Sequence, residues 1–328
     1  MYLYDVIVIG GGPAGLMAAI SAKNLGAKKV CVFEREDRLG GMLNEHIHNG
    51  FGIKTFGQEL TGPEYIERMI ETLVKNNIEY RVGTTVLTLN NDKEITYVNE
   101  DEGLIKVKAK AIILAMGCRE KTVGSFNIPR NKCAGVYTCG IAHKFMNLEG
   151  FLVGKEVVIF GSSNLAMLTA RRLRIEGANV KTVLDRNIKP LGEEKYYKEC
   201  LEDFKIPFKG GNYIVNIRGK ERVEGVTVVP IDEDRAHLEN AGEVINCDTL
   251  LIDVKLLPET SLIKNTNIEL KGMLQGPVVD NNMNTKVRGI FACGNLLNVR
   301  YNTDSIVEEA RIAGKFAAEV AMLSEDFI

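Results

Sequence analysis

Six residues near the start, Gly10-Gly11-Gly12-Pro13-Ala14-Gly15, have the spacing G-x-G-x-x-G directly after a β-rich run, residues 4–9, and at the head of a helical stretch, residues 13–25. The chemistry such a turn offers is anion binding. Gly10 permits the tight turn, Gly12 lets backbone approach a pyrophosphate, and Gly15 lets helix and strand pack closely, while exposed amides and the helix dipole favour negative charge. A second strand, residues 30–33, ends at Glu34-Arg35, where the Glu34 carboxylate is placed to accept hydrogen bonds from ribose hydroxyls. Pro13, Ala14 and Arg35 complete this candidate set. Strand, helix and carboxylate together point to a dinucleotide site rather than a merely tight turn.

A second copy is less complete. Gly161-Ser162-Ser163-Asn164-Leu165-Ala166 lies between a strand at 156–160 and a helix at 164–176, and the next strand, 180–184, is followed by Asp185. Gly161, Ser163, Asn164 and Asp185 are therefore candidate ligands of a second dinucleotide. Ser163 stands where the middle glycine belongs, so its side chain either obstructs a pyrophosphate or hydrogen-bonds it. Asp185 suits the 2′-hydroxyl of NADH, and adjacent Arg186 leaves NADPH open as well.

Two of the four histidines fall in Leu43-Asn44-Glu45-His46-Ile47-His48. An imidazole titrates near neutrality, so His46 and His48 are candidate groups for moving protons, the alternative being that they fill a loop. His-x-His offers two ligands with no cysteine nearby, so no metal site is expected. Cys139 and His143 would share one face if their stretch is helical, and core packing explains them equally well.

The elements that position these residues fit a chain of two domains: 328 residues, 45% hydrophobic and 26% charged. The net charge of −2 comes from interspersed signs, which argues against nucleic-acid binding. Seven cysteines without a CxxC pair suit reduced thiols and a cytoplasmic location. The apolar first 22 residues lack a basic leader and are interrupted by Asp5 and three glycines, unlike a signal peptide. No membrane span is expected, since nothing reaches about 18 apolar residues. Further along, the pattern reads as a helix at 61–75, strands near Val82, Ile95 and Ile105, and a strand over 110–117. Strands at 213–218, 223–230, 249–254 and 289–292 follow, then a last helix over 305–322 with Ser305 and Glu308 spaced as a capping box.

Asp5-Val6-Ile7-Val8-Ile9-Gly10, Gly40-Gly41, Ala115-Met116-Gly117 and Gly289-Ile290-Phe291-Ala292-Cys293-Gly294-Asn295 together resemble the pyridine nucleotide-disulfide oxidoreductase superfamily. The resemblance spans the whole chain and is to members of thioredoxin-reductase size. It implies an α/β fold of two Rossmann-like three-layer dinucleotide-binding domains, the second inserted into the first: residues 1–117 and 256–328 for FAD, 118–255 for NAD(P). It also implies FAD contacts at Gly40, Gly41, Met42, Ala115 and Gly117. Gly294-Asn295 occupies the place of a Gly-Asp pair that meets the ribityl chain. The helix beginning near Asp304-Ser305 would point its N-terminus at the flavin pyrimidine edge.

The family's redox disulfide is missing. Leu43 and His48 stand where two cysteines follow the Gly-Gly pair in disulfide reductases, and no CxxC follows the second turn. The family also commonly has glycine at the position of Lys255. The Leu43 to Gly52 stretch is similar to flavoprotein subunits that accompany a glycerol-3-phosphate-dehydrogenase-like oxidase, and to subunits of amino-acid and opine dehydrogenases. Three functions stay open. One is an NAD(P)H:acceptor oxidoreductase using a small-molecule or protein acceptor. Another is an electron-relaying FAD subunit beside a second flavoprotein, with nicotinamide binding weakened or lost. The third is an FAD-binding scaffold without turnover.

Overall fold

A computed structural model describes residues 4–122, 124, 133–231, 242–273, 275–300 and 303–323. The chain forms two compact units, Met1–Arg119 together with Leu256–Ile328, and Glu120–Lys255 between them.

The first unit opens with β1 (Tyr4–Ile9), α1 (Pro13–Asn24) and β2 (Val30–Phe33), then α2 (Gly62–Lys75), β3 (Glu79–Arg81), β4 (Thr85–Leu89), β5 (Glu94–Asn99) and β6 (Gly103–Leu114). They form one sheet in the order β3-β2-β1-β6-β5-β4, with strand Ile290–Ala292 also paired to β6. The chain's final helix is Thr303–Leu323.

β6 does two jobs. Its first half pairs antiparallel with β5, and from Ala109 to Leu114 it runs parallel to β1. The separate strands expected near Ile105 and over 110–117 are thus one strand, because no turn residue interrupts the alternation Lys106, Lys108, Lys110. Val82 lies in the bend between β3 and β4 rather than in a strand.

Alternation in the parallel strands creates two cores. Val6, Val8, Val30, Val32, Ala111 and Ile113 pack toward the helices, whereas Ile7, Ile9, Phe33, Ile112 and Leu114 join Leu89, Ile95 and Tyr97 on the opposite face. Burial on both faces explains why β1 reads as a continuous apolar run after Asp5, and each buried Val, Leu, Ile or Phe contributes about 1.5–3 kcal/mol. α1 and the final helix approach so closely that a Cβ on Gly314 would fall 2.2 Å from the Ala18 carbonyl oxygen.

Helix starts differ from expectation in one place. Among the described residues the final helix already includes Thr303 and Asp304, so Ser305 lies inside it and is not the N-cap. A capping box does form at the head of α2, where the Thr61 amide donates to Glu64 Oε2 at 2.8 Å.

The second unit repeats the plan with β7 (Val136–Thr138), α3 (Cys139–Asn147), β8 (Glu156–Phe160), α4 (Asn164–Ile175), β9 (Asn179–Leu184) and β10 (Phe208–Lys209). β11 (Asn212–Arg218), β12 (Gly225–Pro230), β13 (Glu243–Ile245) and β14 (Thr249–Ile252) complete it. The parallel sheet runs β7-β14-β8-β9-β10, and β11-β12-β13 form an antiparallel layer. Val157, Ile159 and Leu251 face the helices, while Val158, Phe160, Leu250 and Ile252 meet Ile214, Ile217 and Val226. This is the expected α/β architecture, one three-layer unit inserted into another. Cys139 and His143 do share the buried face of α3.

Candidate functional site

The turn between β1 and α1 can be built only from glycine at its key positions. Gly10 has φ +107°, and a Cβ there would lie 2.4 Å from the Ala115 carbonyl oxygen. At Gly15 a Cβ would fall 1.8 Å from the Gly10 carbonyl oxygen, so helix and strand meet backbone to backbone. Gly12 is the helix N-cap, is followed by Pro13, and brings no side-chain cap to the first amides of α1. A Cβ added to Gly12 would meet nothing closer than Gly41 Cα at 4.0 Å. That open ground beside uncapped amides has the chemistry of a phosphate cradle.

Other predicted residues gather around this turn. Glu34 is buried, accepting from the Gly11 amide at 2.6 Å and the Glu36 amide at 2.9 Å, which fixes its carboxylate beside the glycines. Gly40 donates its amide to Gly11 at 2.8 Å, and a Cβ on Gly41 would fall 3.2 Å from Gly12 Cα. From the far end of the chain, a Cβ on Gly294 would lie 2.7 Å from Ala14 Cβ. Ala115 donates its amide to the Ile9 carbonyl at 2.8 Å, and Gly117 turns the chain at φ +67°.

Several predicted residues have other engagements. The Arg35 side chain is exposed and lies 3.6 Å from Glu36. Asn295 uses Oδ1 to accept from the Arg300 amide at 2.9 Å. Asp304 Oδ1 accepts from Thr55 Oγ1 at 3.4 Å, and Ser305 sits one residue further into the helix. Met42 is exposed, and its carbonyl is bound by His46 Nδ1 at 2.6 Å.

That last contact defines the histidine. A carbonyl can only accept, so Nδ1 carries the proton and Nε2 presents a lone pair. Burial holds the His46 pKa below the ordinary histidine value despite the Met42 bond, and His48 adds to the depression. His46, His48 and Phe51 form an aromatic cluster, with the imidazole centroids 5.7 Å apart.

Six of the seven cysteine thiols are shifted upward by burial. All seven are free. Burial pushes Cys118 and Cys200 up to about 11 and Cys247 to about 12, and raises Cys31, Cys139 and Cys293 strongly. These thiols are protonated at neutral pH, and the thiolate is the reactive form.

The second turn is geometrically parallel and chemically different. Gly161 has φ +112°, but the atom its absent Cβ would meet is Asp253 Cβ, at 2.3 Å. Ser163 caps α4, accepting from the Ala166 amide at 3.4 Å. Its own amide and hydroxyl both donate to the Asp253 carboxylate at 2.9 Å. The Asn164 side chain bonds Glu193 twice, Nδ2 donating to Glu193 Oε1 and Oδ1 accepting from the Glu193 amide, at 2.8 Å each. Asp185 is buried, accepting from Ser162 Oγ at 2.5 Å and from the Asn187 amide and Nδ2 at 2.8 Å. Neither Asp253 nor Glu193 figured among the candidates. The signal for Asp253 was available in the repeat, since it occupies the position Ala115 holds in the first unit: the Asp253 amide donates to Phe160 as Ala115 does to Ile9. Lys255, where the family commonly has glycine, is exposed and has no positive φ.

Two Rossmann-like folds, one carrying an open glycine turn with uncapped helix amides, are the architecture of dinucleotide-dependent oxidoreductases. The chain belongs to the pyridine nucleotide-disulphide oxidoreductase family, whose model matches residues 4–317. Members of this family are flavoproteins that bind FAD and NAD(P)H. The chain is similar to an opine oxidase subunit from Rhizobium meliloti, 25% identical over 97% of this chain and 62% of that one. It is also similar to an alkyl hydroperoxide reductase subunit from Staphylococcus aureus, 26% identical over 99% of this chain and 59% of that one. It therefore spans about three-fifths of the length of these curated relatives. In fold it matches thioredoxin reductase of Lactococcus lactis, with TM-score 0.77, 20% identity and coverage of 98% and 99% of the two chains. No helix among the described residues is long and apolar enough to cross a membrane.

Proposed function

We propose that this chain is an FAD-dependent oxidoreductase that relays electrons between a partner flavoprotein and an acceptor, without a redox-active disulfide of its own. The observation that carries the reading is the contrast between the two turns: α1 presents uncapped amides beside Gly12, whereas the start of α4 is engaged by Ser163 and Asp253.

Gly10, Gly12, Gly15 and Gly41 would hold the pyrophosphate, Glu34 the ribose, and Gly294-Asn295 the ribityl chain. The head of the final helix, at Asp304, would meet the pyrimidine edge, where its dipole favours negative charge. FAD, when bound, supplies hydride acceptance and stepwise electron release. His46 Nε2, kept neutral by burial, is suited to take up a proton at the site. Protonated, buried thiols support the absence of disulfide exchange, and free cysteines support a reducing, cytoplasmic setting. The opine oxidase relative is named as one component of its enzyme, which supports a role within a multi-protein assembly.

A second reading, direct reduction by NAD(P)H, is favoured by family membership and by Asp185 at the end of β9. The first reading is tested by purifying the chain and measuring FAD released on denaturation. One FAD per chain, reducible by dithionite and reoxidised by an artificial electron acceptor, supports it. A colourless protein that does not take up added FAD contradicts it.

A further inference from the structure

The second turn keeps the backbone of a dinucleotide site, yet its donors face the chain itself. Ser163 stands where Gly12 stands in the first unit, and Asp253 where Ala115 stands. In the first unit the corresponding position ends in a methyl group and the helix amides are uncapped. In the second, the Asp253 carboxylate takes the Ser163 amide and hydroxyl, each at 2.9 Å.

A loop completes the closure. The Leu191 amide donates to Ser162 Oγ at 3.0 Å and the Gly192 amide to the Ser162 carbonyl at 2.9 Å. Gly192 packs so tightly over the turn that a Cβ there would lie 2.9 Å from the Asn164 amide. Glu193 follows and clasps Asn164, placing a second carboxylate at the head of α4. Glu120 adds a third at the same edge of the sheet, accepting from Thr138 Oγ1 and the Gly140 amide at the head of α3.

We propose that Asp253, seconded by the Asn164–Glu193 clasp, is the residue that excludes dinucleotides from the second unit, by standing in for the pyrophosphate as an internal anion. A pyrophosphate brought to this turn meets a fixed carboxylate at hydrogen-bond distance from the amide it requires, and like charges this close repel strongly. The backbone of the turn is otherwise preserved, so the site is latent and replacing the carboxylate uncovers it. The proposal deepens the relay reading by naming what shuts out nicotinamide, but it does not depend on FAD content, because it concerns binding to the second unit alone.

The test is calorimetric titration of the full chain with NADH and with NADPH, comparing wild type, Asp253→Ala and the double variant Asp253→Ala/Glu193→Ala. Circular dichroism establishes that each is folded, and Asp253→Asn serves if the alanine variant is not. Removing one charge at this distance is expected to tighten binding on the order of a hundredfold. The expected result is no measurable affinity in wild type and a clear gain in at least the double variant. Wild type that binds either nucleotide as tightly as the variants, or folded variants that gain nothing, would overturn the proposal.

Discussion

Gly294 and Ala14 lie near opposite ends of the chain, and a methyl group on the first would sit 2.7 Å from the Cβ of the second. The contact explains why the first unit is built from two segments: the late Gly294-Asn295 motif reaches the turn that opens the chain. A cofactor held there ties both segments together, so FAD binding should stabilise the whole first unit by mass action.

Two neighbouring glycines separate folding from binding. Gly15→Ala places a methyl 1.8 Å from the Gly10 carbonyl oxygen and should destabilise the chain by about 3 kcal/mol. Gly12→Ala meets nothing closer than 4.0 Å and keeps an ordinary φ of −75°, so the protein should fold normally while FAD affinity falls about tenfold or more. Denaturant titration and flavin content measured on both variants check the pair. Equal flavin content in Gly12→Ala and wild type contradicts the cradle.

The first turn, Glu34 and the repeat were legible because each depends on residues close in sequence. The second turn was only half legible. Ser163 is visible as a departure from the pattern, but its partner Asp253 lies 90 residues away, just past the end of a buried strand. Local pattern also hid β6, whose lysine alternation continues through two kinds of pairing. The head of the final helix was hidden too, because a plausible capping pair stood inside it.

Opposing pH dependences follow from Asp253 and His46. Burial raises Asp253 from 3.8 to about 6, and the charges of Asp185 and Glu120 facing it add to the shift, against the lowering bonds from Ser163. The stability this group contributes is full below about pH 4 and is lost as pH rises through 6, by at most about 3 kcal/mol. His46 has the opposite sign: its depressed pKa contributes stability above the ordinary histidine value that is lost on acidification. Urea midpoints across pH 4 to 8 should lose a decline with rising pH between about 4 and 6 in Asp253→Asn, and a decline on acidification below about 6.5 in His46→Asn.

Proton handling by the histidine cluster is tested kinetically. His46→Asn/His48→Asn should retain FAD, since neither side chain belongs to the glycine cradle. Flavin reduction and reoxidation should slow about a hundredfold if the imidazoles move the proton. Stopped-flow rates unchanged in the double variant would reduce both residues to filling the loop around Phe51.

Thiol counting tests the proposed absence of a redox-active disulfide. Unfolded protein should titrate seven thiols whether or not it was first treated with a dithiol reductant. A rise of two thiols on reduction would reveal a redox pair.

The most direct measurement is the visible spectrum of the purified, FAD-loaded chain during anaerobic titration with NADH and then NADPH. With the second turn closed by Asp253, the oxidised-flavin band is predicted to survive stoichiometric nucleotide and to bleach on addition of dithionite. Bleaching by one equivalent of either nucleotide would contradict this, and would make the second unit a working nicotinamide site.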